Sequence, residues 1–128
     1  MSDKSFDQWI TGLDLSFWGT AQHKVSPAQF FERQLSEDAV LLDVRSPEEA
    51  SQLAFPFALH IPLTELPDRL NEVPNDRLVA TFCSSATRAV VAWIYLQQNG
   101  LENVRILDAH YHELTDELLP GKVYKRTH

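Results

Sequence analysis

Cys83-Ser84-Ser85-Ala86-Thr87-Arg88 is the segment best equipped for chemistry, with a lone thiol and a guanidinium five residues on. Leu78 to Phe82 reads as a buried strand leading straight into Cys83, and Thr87 to Gln98 reads as a helix. The thiol then lies where unpaired backbone N–H groups leave a helix N-terminus, a setting that favours an anionic sulfur nucleophile. Arg88 can fold back over the loop and add a fixed charge with several donors, while Ser84, Ser85 and Thr87 supplement the cradle. Such an arrangement suits a covalent intermediate in which Cys83 holds a transferable anionic group. The competing reading of a lone cysteine is an inert core residue, but small polar neighbours fit an exposed loop better than a core.

A second set is Asp108, His110, His112 and Glu113. Two histidines two apart can chelate on a strand but diverge on a helix, and no third and fourth ligand stand at recognised spacing. No metal is expected; these are read as rim histidines, one of which could assist proton transfer at the mouth of the Cys83 site. No glycine-rich dinucleotide loop or Walker loop occurs, so no cofactor is expected.

The elements that must position these groups alternate. Ser26-Pro27 opens a helix through about Leu35 by an N-cap and a first-turn proline. Ala39-Val40-Leu41-Leu42, ending at Asp43, is a strand buried on both faces. Ser46-Pro47-Glu48-Glu49 starts another helix with acids in its first turn. A short strand at Leu59-His60-Ile61, a brief helix from Thr64 to Leu70, and the strand and helix flanking Cys83 follow. A strand at Val104 to Leu107 and a short helix near Tyr111 to Leu114 complete the series. This alternation predicts a mostly parallel sheet with helices on both faces. Ligands of such folds sit at the carboxyl ends of strands, where Cys83 falls. Before it, Phe6, Trp9, Ile10 and Leu13 space as a short helix running into an extended arm of Leu15, Phe17 and Trp18, expected to cover the domain's own core. Thr11 to Asp14 reads as a loop, and Lys122 to Arg126 as a solvated tail.

The motifs together resemble rhodanese-like domains. Leu41 to Glu49 is similar to their Asp-Val-Arg signature, and His60-Ile61-Pro62-Leu63 to their short third-strand motif. Cys83 to Arg88 has the spacing of their six-residue loop, and Asn99 to Leu107 resembles the segment after the active-site helix. The resemblance implies a five-stranded rhodanese-like α/β domain over residues 23–128, with residues 1–22 as an N-terminal extension. It implies a sulfurtransferase in which Cys83 becomes a persulfide. The donor is a small anionic sulfur compound such as thiosulfate, or a persulfide, including one on a protein; the acceptor is a thiol or cyanide. Ser84, Ser85, Ala86, Thr87 and Arg88 would bind the donor, with Asp43 and Arg45 in support.

Four positions depart from the family pattern. Ala86 stands where glycine is usual and suits the loop if its φ stays negative. Leu53 to Ala58 replace a His-Ile-Pro-Gly turn, Ala109-His110 a glycine pair, and Leu114 a tryptophan. The result is an apolar rim that suits a protein or bulky donor. Phosphatase or arsenate reductase chemistry is the weaker enzyme reading. The related phosphatases need five residues between Cys and Arg, whereas four intervene here and the next position is Ala89. A non-catalytic binding module that docks a partner through the aromatic arm is the alternative from another class.

Length and charge bound these readings. A chain of 128 residues is one domain's worth. Its net charge of −7 argues against a nucleic-acid or anionic-membrane surface. One cysteine excludes an intramolecular disulfide and a multi-Cys zinc site. No apolar run approaches a membrane span, and Met1 to Phe6 show no signal-peptide pattern. The expectation is a small, acidic, cytoplasmic α/β domain.

Overall fold

The computed structural model describes residues 5–128, so the first four residues of the expected extension, including most of the stretch read for a leader, lie outside the described residues. Five strands form one sheet: β1 (Lys24–Val25), β2 (Ala39–Asp43), β3 (Leu59–His60), β4 (Leu78–Phe82) and β5 (Val104–Leu107). Their spatial order is β1-β5-β4-β2-β3, and every pairing is parallel. The central pair, β2 and β4, runs in register from Ala39 opposite Leu78 to Asp43 opposite Phe82. Both strands therefore end at one level, and both discharge polar residues there.

Alternation along the strands separates two cores. Leu41, Leu78, Ala80, Phe82 and Leu107 face one side, where they meet Phe30 and Phe31 of α3 (Pro27–Leu35) and Leu114 of α6 (Tyr111–Asp116). Leu42, Val79, Val104 and Ile106 face the other, against Ala89, Ala92, Trp93 and Leu96 of α5 (Thr87–Gln98). Phe30 is fully buried, worth roughly 1.5–3 kcal/mol on its own. Thr81 falls on the α5 side, and its hydroxyl donates to the Ala89 carbonyl at 2.9 Å, tying β4 to the first turn of the helix that follows it.

Local chemistry sets the helix starts. Ser26 and Ser46 both cap through their hydroxyls, accepting from the backbone N–H of Gln29 and Glu49, with proline in the first turn. Near the N-terminus lie α1 (Phe6–Thr11) and α2 (Leu15–Gly19). The expected extended arm at Leu15, Phe17 and Trp18 is thus helical, because the Asp14 carboxylate accepts from Phe17 N–H at 2.9 Å and nucleates a turn. Trp9 and Phe17 pack against Trp93, at ring-centroid distances of 5.4 and 6.2 Å.

Other differences have equally local causes. The helix expected from Thr64 to Leu70 is two 3-10 stretches, Leu63–Glu65 and Pro67–Glu72, with Pro67 opening the second. Lys122 to Arg126, expected as a solvated tail, are largely exposed but helical, in α7 (Pro120–Thr127). Arg126 anchors that helix by donating to the Glu117 carbonyl and carboxylate at 2.8 and 3.0 Å, with its guanidinium 4.9 Å from the centre of the Phe31 ring. Between β2 and β3 lies α4 (Pro47–Gln52), which carries Glu49 to the edge of the site.

Candidate active site

Cys83 follows β4 directly and is buried at the base of the loop that leads into α5. Its Sγ lies 3.3 Å from the backbone N–H of Ala89, which donates to it from the first turn of α5. An N–H that would otherwise lack an intrahelical partner is thus aimed at the sulfur. Ser85 and Thr87 are exposed, while Ser84, Ala86 and Arg88 are half-buried.

Ala86 corrects one expectation. Its φ is 73° with ψ −25°, in the left-handed region, and not the negative φ under which alanine suits this turn. The backbone thus holds alanine in a conformation that favours glycine, and bears the strain of a methyl group there. The Ala86 carbonyl still accepts the Val90 N–H at 2.9 Å, closing the first turn of α5.

Arg88 folds back over the loop. One terminal nitrogen donates to the Ser84 hydroxyl at 3.2 Å, and the same nitrogen and its twin donate to the two Glu49 oxygens at 2.8 and 2.5 Å. The fork-to-fork pair crosses from α5 to α4, between residues 39 apart in sequence. Glu49 also accepts from the Ser46 N–H and hydroxyl through its capping box. The Arg88 hydrogen bonds, helped by those of Ser46, hold the Glu49 carboxyl down at about 2 despite partial burial. The same pairing raises the Arg88 pKa.

Asp43 and Arg45 lie behind the loop, at the carboxyl end of β2. The Arg45 guanidinium donates to both Asp43 oxygens, at 2.9 and 2.6 Å, and the Arg45 N–H adds a third bond at 3.0 Å. A further nitrogen donates to the Tyr111 hydroxyl at 3.1 Å, and the guanidinium lies between the Phe55, Phe82 and Tyr111 rings. Burial opposes the Arg45 charge, but the Asp43 and Tyr111 bonds outweigh it, so its pKa is raised. The Arg45 carbonyl sits 2.8 Å from His60 Nε2, fastening β3 to the same knot.

His110 reaches the loop from the other side, with Nδ1 3.3 Å from the Ser84 carbonyl oxygen. Its ring stacks against His112 at 6.2 Å, and its backbone N–H donates to Glu113 at 3.0 Å. Among the described residues no three His, Cys, Asp or Glu side chains group as ligands for a metal ion. Two clefts flank the loop: one of about 240 Å³ beside Ser85, His110 and Glu113, another of about 160 Å³ beside His23, Lys24 and Val90. Ala86 and Asp108 line both.

The structure therefore gathers Cys83, Ser84 and Arg88 into one hydrogen-bonded loop and sets Asp43 and Arg45 behind it. Glu49 and Tyr111 belong to the constellation, yet sequence reasoning registers Glu49 only as a first-turn acid and Tyr111 only as a helix start. No spacing rule connects either to a guanidinium dozens of residues away.

The chain is similar to several known sulfurtransferases in sequence and in fold. A sulfurtransferase from Allochromatium vinosum is 41% identical over 69 residues, covering 54% of this chain and 64% of that protein. A tRNA sulfurtransferase from Haemophilus influenzae is 28% identical over 82 residues, covering 61% of this chain but 17% of that protein. The chain thus spans less than two thirds of either. Among solved structures, the human single-domain sulfurtransferase TSTD1 superposes with a TM-score of 0.65 at 28% identity, over 73% of this chain and 96% of that one. With the family profile of the rhodanese-like domain matching residues 26–117, the chain belongs to the rhodanese-like domain family.

Proposed function

We propose that the chain is a sulfurtransferase that carries a sulfane sulfur on Cys83. The observation that supports this most directly is the Ala89 N–H aimed at Cys83 Sγ from 3.3 Å at the carboxyl end of β4. A sulfur anion at that point is met by a preorganised donor. In the first step the Cys83 thiolate attacks the terminal sulfur of the donor. A new S–S bond forms, the donor's S–S bond breaks, and its electron pair leaves on sulfite (from thiosulfate) or on a thiolate (from a persulfide). In the second step an acceptor thiolate or cyanide attacks the outer sulfur, and Cys83 departs as thiolate with the bonding pair. No net oxidant or reductant is consumed.

Ser84, Ser85, Ala86, Thr87 and Arg88 form the rim on which donor and acceptor would rest, and Asp43 with Arg45 holds that rim in place. Sulfurtransferase relatives, one of them named for tRNA, support a partner that is a protein or a larger sulfur carrier as readily as a small anion. Residues 1–22 are read as an extension packed on a domain of residues 23–128, in keeping with the Trp9 and Phe17 contacts to Trp93. The exposure of Phe6 and Ile10 supports the second reading, a binding module without turnover.

Intact mass after incubation with thiosulfate and, separately, with hydroxyethyl persulfide tests the proposal, beside a Cys83→Ser control. One sulfur atom added to the wild type alone, and released by cyanide or a thiol, is the expected result. Folded, reduced protein that gains no sulfur from either donor overturns the catalytic reading in favour of the module.

A further inference from the structure

Arg88 is the only cation in the loop, and its charge is already engaged. Glu49 takes a terminal nitrogen with each carboxylate oxygen, at 2.5 and 2.8 Å, and Ser84 takes a third contact at 3.2 Å. The fork geometry that would grip the oxygens of an oxyanion is therefore filled by a carboxylate of the chain itself. The other charges beside the loop do not compensate. Lys24 is matched by Asp108 at 3.5 Å, and Glu113 accepts from the His110 N–H. Arg45 is buried and matched by Asp43. His23 and His110 supply imidazoles to the flanking clefts, and the His23 pKa is lowered by burial, so it adds little positive charge. Once Cys83 is a thiolate the surroundings of the sulfur are net negative, on a chain of net charge −7.

A dianion meets twice the repulsion of a monoanion in that field and needs the guanidinium fork that Glu49 occupies. A persulfide on an organic thiol presents at most one charge at its reactive end and no oxygens to be gripped. Resting on the sulfurtransferase reading above, we propose that Glu49 is the specificity-determining residue of this site: by holding the Arg88 fork it turns the site from dianionic thiosulfate towards organic persulfides. Glu49 touches no reacting atom and acts through Arg88, so it is a positioning residue.

The test is the rate of sulfur loading on Cys83, followed by intact mass, for wild type, Glu49→Gln and Glu49→Asp with thiosulfate and with hydroxyethyl persulfide. Glu49→Gln keeps the shape but frees the charge of Arg88, and should shift the ratio of the two loading rates towards thiosulfate by about tenfold, through a lower thiosulfate KM. Glu49→Asp keeps the charge and should stay within about threefold of the wild-type ratio. An unchanged ratio in Glu49→Gln, or a shift away from thiosulfate, overturns the inference while leaving the sulfurtransferase reading intact. Failure of wild type to load from either donor overturns that reading first. Should Glu49→Gln not fold, the salt dependence of the wild type decides. Thiosulfate loading that quickens as ionic strength rises to about 0.5 M supports a repulsive site, and loading that slows identifies an open Arg88 anion site and overturns the proposal.

Discussion

The Asp43 carboxylate and the Arg45 guanidinium, two residues apart, form a two-pronged ion pair with both side chains almost fully buried, at 0% exposure for Arg45 and 2% for Asp43. Its geometry satisfies most of the desolvation demand: Asp43 accepts three bonds from Arg45, and Tyr111 takes a further nitrogen. Aromatic faces of Phe55, Phe82 and Tyr111 surround what remains of the cation. The pair joins β2 to α6 and, through the Arg45 carbonyl and His60, to β3.

Removing one partner strands the other in a low-dielectric site. Arg45→Ala should lose about 3–5 kcal/mol in chemical denaturation. Asp43→Leu combined with Arg45→Met should recover much of that loss, because neither charge is then left alone. A single mutant within about 1 kcal/mol of wild type would show that water reaches the site and the pair is not structural.

Ala86 gives a prediction of opposite sign. At φ 73° its side chain crowds the backbone, a strain of about 1–2 kcal/mol that glycine does not bear. Glycine gains freedom in the unfolded chain worth about 0.4–1 kcal/mol, so Ala86→Gly should stabilise by up to about 1.5 kcal/mol. Ala86→Val, with a branched carbon at a positive φ, should destabilise by more than that. Thermal melts of the three proteins decide it; a glycine variant less stable than wild type would remove the strain argument.

Glu49 should leave a mark on acid stability. Its carboxyl titrates at about 2 in the fold against an ordinary 4.5, so below 4.5 the unfolded chain takes up a proton that the folded chain refuses. The stabilisation is complete above 4.5 and is lost as pH falls towards 2. In Glu49→Gln the stability curve should be flatter across that window. Equal slopes for the two proteins would mean that the Arg88 pair does not persist in solution.

His23 should act one window higher. Burial, then the charges of Lys24 and Arg105, lower its pKa against a partial opposing pull from Asp108. Its Nδ1 is buried without a partner, and its ring packs edge-on to Trp18 at 4.8 Å. The folded state therefore favours the neutral ring, and stability falls as pH drops below the ordinary 6.5. His23→Phe should keep the aromatic packing and lose that slope; a slope that survives assigns it to another group.

Elements with a one-dimensional signature are legible in the residues alone. Ser26-Pro27 and Ser46-Pro47 mark helix starts, and the apolar runs at Ala39–Leu42 and Leu78–Phe82 mark the central strands. The placing of Cys83 between strand and helix follows from those runs. What escapes is set by contacts across the fold. β1 is two residues long and exists because Lys24 and Val25 pair with Ile106 and Leu107, a partnership no local pattern announces. The α7 helix depends on Arg126 finding Glu117 and Phe31, and α2 on the single Asp14 cap. The left-handed Ala86 runs against its own residue type, because the geometry of the turn overrides local preference. The Arg88–Glu49 pair joins two helices whose adjacency only the packed sheet creates.

The brevity of the outer strands has a consequence for the protein's behaviour in concentrated solution. A parallel sheet exposes a row of unpaired backbone groups along each margin, and a long margin is a template for strand addition by a second molecule. Here the margins are β1 and β3, two residues apiece. Each offers too short a ladder to hold an incoming chain; β4 is paired on both sides, while β2 and β5 are covered on their outer flanks at Leu42–Asp43 and Ile106–Leu107. Short outer strands thus disfavour edge-to-edge addition, and Lys24 sets a charge on the β1 border as well.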